Sequence, residues 1–286
     1  MKKLLMLILC GGLLVGCSSA SGYDVKLSDA DDVLVSGSGI NVTKQGYFES
    51  LLKKYGSENI LSKTLEAIAD KEVNNQEELD KLVKEREKTY SDYADGDLEK
   101  YAKYLGYNSK EDYINEALIP DAKQELLRNK YIEDNFDKLL TDYQVCSFKK
   151  ILVDKESTAL TIIKDVKSEE DFDKKMKEYG TDAEDAGTVT KNSTLDDNLK
   201  TALKDLIAVK ADGVYSTAIK LSDEKYAVLY MYNTDHKDKD ALEKALSSDS
   251  SLKTETEVYY LKKYNFTVND SKLKNEIQEL NKDYIG

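Results

Sequence analysis

Histidine is the first residue type to examine for acid–base chemistry, and this sequence contains one, His236, in a charged stretch. A nucleophilic serine or cysteine needs a base within hydrogen-bond reach, so His236 is the only imidazole for such a pair. Carboxylates occur in adjacent runs at residues 31–32, 169–171 and 196–197. None has the spacing of a calcium loop, and residues 182–187 lack a distal bidentate glutamate. We therefore expect no metal site and no cofactor, and a solvated turn at residues 182–187.

The amino terminus predicts export and lipidation. Lys2 and Lys3 precede an apolar run over residues 4–15. A run of about 12 residues is too short to span a bilayer, which takes about 20, so it predicts a cleaved signal peptide. Residues 14–17 (LVGC) resemble the lipobox of bacterial lipoproteins. That resemblance implies a lipid on the Cys17 sulfur, cleavage before Cys17, and attachment to the extracytoplasmic face of the membrane.

Removal of the signal leaves one thiol and a strongly acidic chain. Cys146 then has no cysteine to pair with, so we expect it to be a small buried apolar residue. The formal net charge of the whole chain is −13, and loss of Lys2 and Lys3 leaves 40 basic against 55 acidic residues. Nucleic-acid binding needs clustered lysine and arginine, so this composition argues against a nucleic-acid partner. The acidity favours solubility and basic partners.

Tyrosine is the residue type best suited to contact another polypeptide, with twenty copies and no tryptophan. Five copies fall in one helical stretch, namely Tyr90, Tyr93, Tyr101, Tyr104 and Tyr107. A tyrosine combines apolar area with a polar tip. The group therefore suits either packing between amphipathic helices or a surface that contacts an unfolded chain, and both interpretations stay open.

Mostly helical elements must position these tyrosines. Residues 18–32 have few apolar side chains and predict a flexible tether. Residues 33–35 and 39–42 predict a strand pair that turns through residues 36–38. Thr43 is placed to cap the helix that follows. Apolar periodicity then predicts helices over residues 76–90 and 97–105 and from Ser109 toward residue 143, with a break or kink at Pro120.

The second half of the chain predicts a change from helices to a mixed module and back. Tyr, Val, Leu and Met replace the charged helical pattern at residues 145–153 and 225–232, which predicts strands there, with small helices between them. Helical spacing returns over residues 240–264 and from Ser271. The order predicts an α+β fold in which amino- and carboxy-terminal segments form one helical domain around an inserted α+β module. The predicted boundaries are a signal at 1–16, the tether at 17–32, helical segments at 33–143 and 237–286, and the module at 144–236.

Together with this architecture, four short segments resemble the PrsA foldases of Gram-positive bacteria, relatives of SurA, whose central module is a parvulin-type peptidyl-prolyl isomerase. They are residues 147–153 (SFKKILV), 171–182 (DFDKKMKEYGTD), 209–214 (VKADGV) and 225–229 (KYAVL). The resemblance implies a membrane-anchored extracytoplasmic foldase whose partners are unfolded or nascent secreted proteins. It also implies that the tyrosine-bearing helices belong to the chaperone domain. Whether the chain forms a homodimer is left open.

Two substitutions depart from the parvulin pattern. Lys150 occupies the position of the first-strand histidine, and Ala227 that of the last-strand histidine. Leu195 and Leu199 are the nearest candidates for the side chains of a proline pocket. Isomerisation must lower a barrier of roughly 18–20 kcal/mol by binding the twisted amide better than either planar form, which needs an organised site. A flexible lysine does not replace a hydrogen-bonded histidine pair.

The sequence thus predicts a chaperone with a degenerate parvulin-like module. An alternative is a working prolyl isomerase that uses Cys146, Lys150 or tyrosine hydroxyls. A second alternative is a binding or adhesion lipoprotein, against which the order of helical segment, module and helical segment argues.

Overall fold

The computed structural model describes residues 22–285, which divide into two compact units. One unit combines residues 22–68 with residues 258–285, and the other comprises residues 69–257. The division falls inside two helices, α2 (Ser57–Glu72) and α12 (Ser250–Lys263). It reflects contacts within the chain, and the boundaries expected from the sequence stay a prediction.

A hairpin opens the first unit, as predicted. Strands β1 (Val33–Gly37) and β2 (Ile40–Thr43) pair antiparallel. The turn is centred on Ser38 and Gly39 and not on residues 36–38, because Gly39 adopts a positive φ of 73° that other residues rarely reach. Thr43 caps α1 (Lys44–Leu51), its hydroxyl accepting a hydrogen bond from the Gly46 amide at 3.1 Å. A π-helical turn, Leu52–Gly56, then leads into α2.

The predicted tether at residues 18–32 is wrong for the part that the structure describes. Tyr23 is buried, and its hydroxyl donates to Glu276 Oε1 at 2.8 Å. The Val25 amide donates to Asp270 Oδ2 at 3.0 Å, and the Ser271 amide donates to Asp24 Oδ2 at 2.8 Å. These bonds join residues about 250 positions apart and fix the segment to the start of α13 (Ser271–Leu280). Composition alone could not predict an anchor that lies at the other end of the chain.

Helices make up the first part of the second unit, close to the predicted limits. Asn75, Asp97 and Ser109 each accept a backbone amide at the start of a helix, and these helices are α3 (Gln76–Tyr93), α4 (Leu98–Tyr104) and α5 (Lys110–Tyr113). The predicted break occurs just before Pro120, where a π-helical turn, Ile114–Leu118, precedes α6 (Ile119–Asp134). Proline fits there because it has no amide hydrogen to donate. A further helix, α7 (Phe136–Asp142), leads to the sheet.

An antiparallel sheet organises the predicted α+β module. Both predicted central strands are present, β3 (Cys146–Val153) and β7 (Tyr226–Tyr232), and they pair from Ser147 to Val153 of β3. The sheet order is β4-β3-β7-β5, and β6 also pairs with β7. The remaining elements are α8 (Glu156–Asp165), α9 (Glu169–Tyr179), β4 (Ala183–Val189), α10 (Asp197–Leu206), β5 (Gly213–Val214) and β6 (Ile219–Lys220).

The expectation of a solvated turn at residues 182–187 is wrong, because most of these residues form β4. Lys150 and Glu184 are register partners, as are Ser147 and Thr188. Backbone pairing with the central strand β3 outweighs the low strand propensity of the acidic residues. The position of β4 at the edge of the sheet leaves Glu184 and Asp185 exposed, so their charges remain hydrated.

The helical spacing over residues 240–264 corresponds to two helices in the structure. They are α11 (Lys239–Ser247) and α12, and Asp249 lies between them. Asp249 accepts the Ser251 amide at 3.0 Å, a bond that favours the start of a new helix over continuation of the old one.

Candidate functional site

The two parvulin-like positions lie on the same face of the sheet. Lys150 pairs with Leu229, and Ala227 pairs with Leu152. Because residues two apart on a strand share a face, Lys150 and Ala227 are diagonal neighbours across β3 and β7. This face, which α10 covers, is called the α10 face below. The opposite face packs on α8 and α9 through Ile151, Val228 and Phe172.

Packing closes the α10 face around Ala227. Its side chain has no exposed area and belongs to one apolar cluster with Phe148, Leu203 and Leu229, which are also fully buried. Leu199 is buried in the same cluster, and Leu195 packs against it while partly exposed. The two leucines considered as sides of a proline pocket therefore contribute to the core that joins α10 to the sheet.

Lys150 is engaged with an acidic neighbour. Its Nζ lies 2.9 Å from Glu184 Oε2, across the β3–β4 pair. Ala227 offers no polar atom beyond its backbone, so the two positions together hold one ammonium group and one carboxylate. An ammonium group and a carboxylate do not replace the pair of neutral, mutually hydrogen-bonded histidine rings that the resemblance implies for an active parvulin.

The other residues considered for catalysis are also poorly placed for it. Cys146 is buried on the α10 face, and burial raises the pKa of its thiol to about 12. A thiol with that pKa holds almost no thiolate at neutral pH and is a poor nucleophile. His236 is exposed in the loop after β7. Within residues 22–285, no group of three or more His, Cys, Asp or Glu side chains is arranged to hold a metal ion.

Three of the five predicted tyrosines, Tyr90, Tyr101 and Tyr107, meet around Tyr113, which the sequence analysis did not single out. Its ring centroid lies 5.2 Å from that of Tyr107 and 6.0 Å from those of Tyr90 and Tyr101. Tyr93 joins through Tyr101 at 5.9 Å. Tyr113 is buried, and burial together with the neighbouring phenols raises its pKa to about 12. Tyr113 lies four residues after Ser109, where a helix is predicted to begin, and nothing in the sequence marks it as the centre of the group.

We call the five predicted tyrosines together with Tyr113 the tyrosine group, and it has a packed interior and an exposed rim. Tyr90, Tyr101 and Tyr107 are partly buried against Leu98, Ala102 and Leu118. Tyr93 is 77% exposed and Tyr104 is 85% exposed, and Leu105 beside Tyr104 is also exposed. Tyr104 lies on α4 with Tyr101, three residues further along the helix. We call Tyr93, Tyr104 and Leu105 the tyrosine rim.

A polar junction, also missed from the sequence, joins the module to the helices within the second unit. Asp249 is buried and accepts hydrogen bonds from Thr190 Oγ1 at 2.7 Å, Ser251 Oγ at 2.7 Å and Asn192 Nδ2 at 3.0 Å. Burial favours the neutral acid, but these donors outweigh it, and the pKa of Asp249 is lowered. The side chain therefore acts as an ionised anchor.

Glu255 makes the second part of the junction. Its two carboxylate oxygens accept the hydroxyls of Tyr131 at 2.7 Å and Tyr143 at 2.9 Å. Tyr131 is on α6, and Tyr143 follows α7. The module also bonds directly to this region, because the Lys191 amide donates to the Tyr143 carbonyl at 2.8 Å. The junction thus fixes the β4–α10 connection to three helices of the second unit.

The predicted lipidation site, Cys17, lies outside the described residues. Across residues 22–285, none of the helices combines the length and the apolar character that crossing a membrane would require.

Comparison with known proteins identifies full-length relatives. No protein-family model matches the chain. It is 28% identical to the foldase protein PrsA of Pediococcus pentosaceus, covering 96% of each chain. It is 25% identical to foldase protein PrsA 1 of Lactobacillus johnsonii, covering 97% of this chain and 95% of the relative. Among solved structures, the peptidylprolyl isomerase PrsA of Bacillus cereus matches 88% of this chain and 99% of its own, with 17% identity and a TM-score of 0.49. Over nearly its full length, the chain is therefore similar to proteins named PrsA foldases.

Proposed function

We propose that this protein is an extracytoplasmic chaperone that holds unfolded secreted proteins and does not efficiently isomerise their prolyl bonds. Two of its full-length relatives carry the name foldase. The predicted signal peptide and the lipobox-like residues 14–17 support action outside the cytoplasm, with a lipid on Cys17 as the anchor. The clients are expected to be polypeptides that emerge from the export machinery.

The closed α10 face is the observation that carries the proposal. Catalysis of isomerisation requires a site that contacts the twisted amide and stabilises it more than the planar forms. Ala227 has no exposed area, and the surrounding leucines fill the space above it. A peptide would have to displace α10 from the sheet to reach this position. Lys150, the other candidate, is paired with Glu184.

Holding makes weaker geometric demands than catalysis, and the helical part of the second unit meets them. A chaperone needs exposed apolar area that binds many sequences, together with polar groups that keep the free protein soluble. The tyrosine rim offers the first. The formal net charge of −13 supplies the second and favours clients with basic segments. Whether the chain forms a homodimer is an open question that sedimentation would answer.

Two assays on one preparation of residues 18–286 test the proposal. The first measures cis-to-trans isomerisation of a proline tetrapeptide, and the second measures suppression of aggregation of an unfolded secreted protein. We expect suppression of aggregation with an isomerisation rate at the uncatalysed level. Isomerisation well above that level would show that the interpretation of Lys150 and Ala227 is wrong. Absence of both activities would instead favour a binding or adhesion lipoprotein.

A further inference from the structure

The β1–β2 hairpin is an exposed apolar element. Val33, Leu34, Val35 and Ile40 are all exposed, with Val35 at 60% and Ile40 at 57%. Every residue of β1 is exposed, so neither face of the strand is covered by the described chain. Two strands of five and four residues cannot bury an apolar face by themselves, and an isolated hairpin is at best marginally stable. The exposure therefore costs stability and calls for an explanation.

The hairpin also lacks the features that usually protect a free strand edge. Natural sheets guard their edges with charged residues, proline or covering elements, because an open edge pairs with other chains. Residues 33–43 contain no charged residue and no proline. In the part of the chain that the structure describes, β1 and β2 have only each other as partners. Their outer edges therefore present amide and carbonyl groups flanked by aliphatic side chains.

We propose that this hairpin is a strand-addition site for extended, apolar segments of unfolded client polypeptides. The inference rests on the proposed chaperone function and names one surface through which a client is held. Backbone hydrogen bonds to a strand edge do not depend on the client's side chains, so one site accepts many sequences. The exposed valines, leucine and isoleucine add apolar contact that selects segments with β-branched or aromatic residues.

Size and charge favour a client segment over a second copy of this chain as the occupant. A stable interface between folded proteins takes about 20–30 residues on each side, whereas the hairpin spans residues 33–43. A short edge therefore suits brief binding of a single strand. Each copy also carries a formal net charge of −13, which opposes association of copies and favours basic client segments. Asp29, Asp31 and Asp32 precede β1 in sequence, and Lys44 forms ion pairs with Asp29 and Asp32, so Asp31 supplies the remaining acidic charge just before the strand.

Fluorescence anisotropy with a defined probe tests the site. The probe is a fluorescein-labelled peptide of alternating valine and threonine with two lysines at each end, and the protein is residues 18–286. Val35→Ser combined with Ile40→Ser should raise the Kd about tenfold, since two aliphatic contacts are lost while the charge of the edge is unchanged. The matched control is Leu160→Ser, which changes an aliphatic residue of α8 that is 49% exposed, and it should leave the Kd within about twofold of the wild-type value.

A second measurement does not depend on how the variant folds. Bound probe should protect the amides of β1 from hydrogen exchange in the wild-type protein. A probe with N-methylvaline at alternate positions cannot donate the strand hydrogen bonds, and it should neither bind comparably nor protect these amides. Equal binding of the two probes, or no binding of the first, would overturn strand addition.

The remaining outcomes separate this inference from the chaperone function. If the wild-type protein suppresses aggregation and the hairpin variant does so equally well, the hairpin is not a client site and the chaperone function stands. If the wild-type protein fails to suppress aggregation, the function itself is wrong. If the hairpin substitutions change the oligomeric state in sedimentation, the surface is an interface between copies, which also overturns the inference.

Discussion

The α10 face of the module and the tyrosine group of α3–α5 both gather large side chains, but they differ in what reaches solvent. On the α10 face, Ala227, Leu203 and Leu229 have no exposed area. In the tyrosine group, Tyr113 is buried, while Tyr93 and Tyr104 are among the most exposed large side chains of the described residues. Full burial of a side chain indicates a role in stability, and exposure of a large apolar side chain indicates a role in contacting another molecule. Under the proposed chaperone function, the sheet of the module provides a scaffold, and helices α3–α5 provide a surface that contacts clients.

Removal of a side chain from the α10 face should have the largest effect on stability. Leu203→Ala leaves a cavity between α10 and the sheet, and we expect the free energy of unfolding to fall by about 3 kcal/mol. Urea denaturation followed by circular dichroism measures this loss. Leu160→Ala is the matched control, because Leu160 is about half exposed on α8, and it should cost less than about 0.5 kcal/mol. Equal losses for the two variants would show that the α10 face is not the closed core described above.

Asp249→Asn should have the next largest effect, because it weakens the polar junction without removing volume. The amide carries no charge and turns an NH2 group toward hydroxyl and amide donors, so we expect a loss of about 2 kcal/mol at pH 7. The pKa of Asp249 is lowered in the folded protein. Its stabilising contribution is therefore complete above the unfolded pKa of about 4 and is lost as the pH falls through the folded value.

Urea unfolding at a series of pH values checks this sign. The difference in unfolding free energy between wild-type protein and Asp249→Asn should be constant from neutral pH down to about pH 5. It should shrink below about pH 4, as the pH falls from the unfolded pKa of Asp249 through its lower folded pKa. A difference that grows on acidification would mean that the ionised form is not the one that the junction stabilises.

Local features made much of the fold predictable. The β1–β2 hairpin, the caps at Thr43 and Ser109, the break at Pro120, and both central strands follow from residues within a few positions of each element. The run of serines around Asp249 is also a local signal, typical of a helix start, and it marks the break between α11 and α12. What local patterns could not give was pairing at a distance. The burial of Tyr23 depends on α13, and the acidic strand β4 exists because β3 offers it partners.

The sequence predicted the candidate site less completely than it predicted the fold. The resemblance assigned Lys150 to the first strand and Ala227 to the last strand of the module, and the pairing of β3 with β7 puts both residues on one face. The closure of that face depends on where α10 packs, which no short motif encodes. Tyrosine spacing identified the group on α3 and α4, but not its centre, since Tyr113 comes from a one-turn helix that depends on its neighbours for burial.

Lys150→Ala tests whether the position that the resemblance aligns with the first-strand histidine carries any chemistry, and its effect on stability should be small. The side chain is mostly buried, but its partner Glu184 is largely exposed, so the pair contributes less than about 1 kcal/mol. The rate of proline tetrapeptide isomerisation should not change. A measurable fall in that rate would assign catalytic work to the α10 face and would remove the contrast with the tyrosine group.

Substitution of the tyrosine rim should have the smallest effect on stability and a clear effect on holding. Tyr93→Ser combined with Tyr104→Ser removes two exposed rings, so the free energy of unfolding should change by less than about 0.5 kcal/mol for each. Loss of their apolar area should weaken client binding, and we expect about twice as much protein to be needed for the same suppression of aggregation. Tyr259→Ser is the matched control, because Tyr259 is an exposed tyrosine outside the group. If the control reduces holding as much as the double variant does, holding depends on general surface character, because any exposed tyrosine would then serve as well as those on α3 and α4.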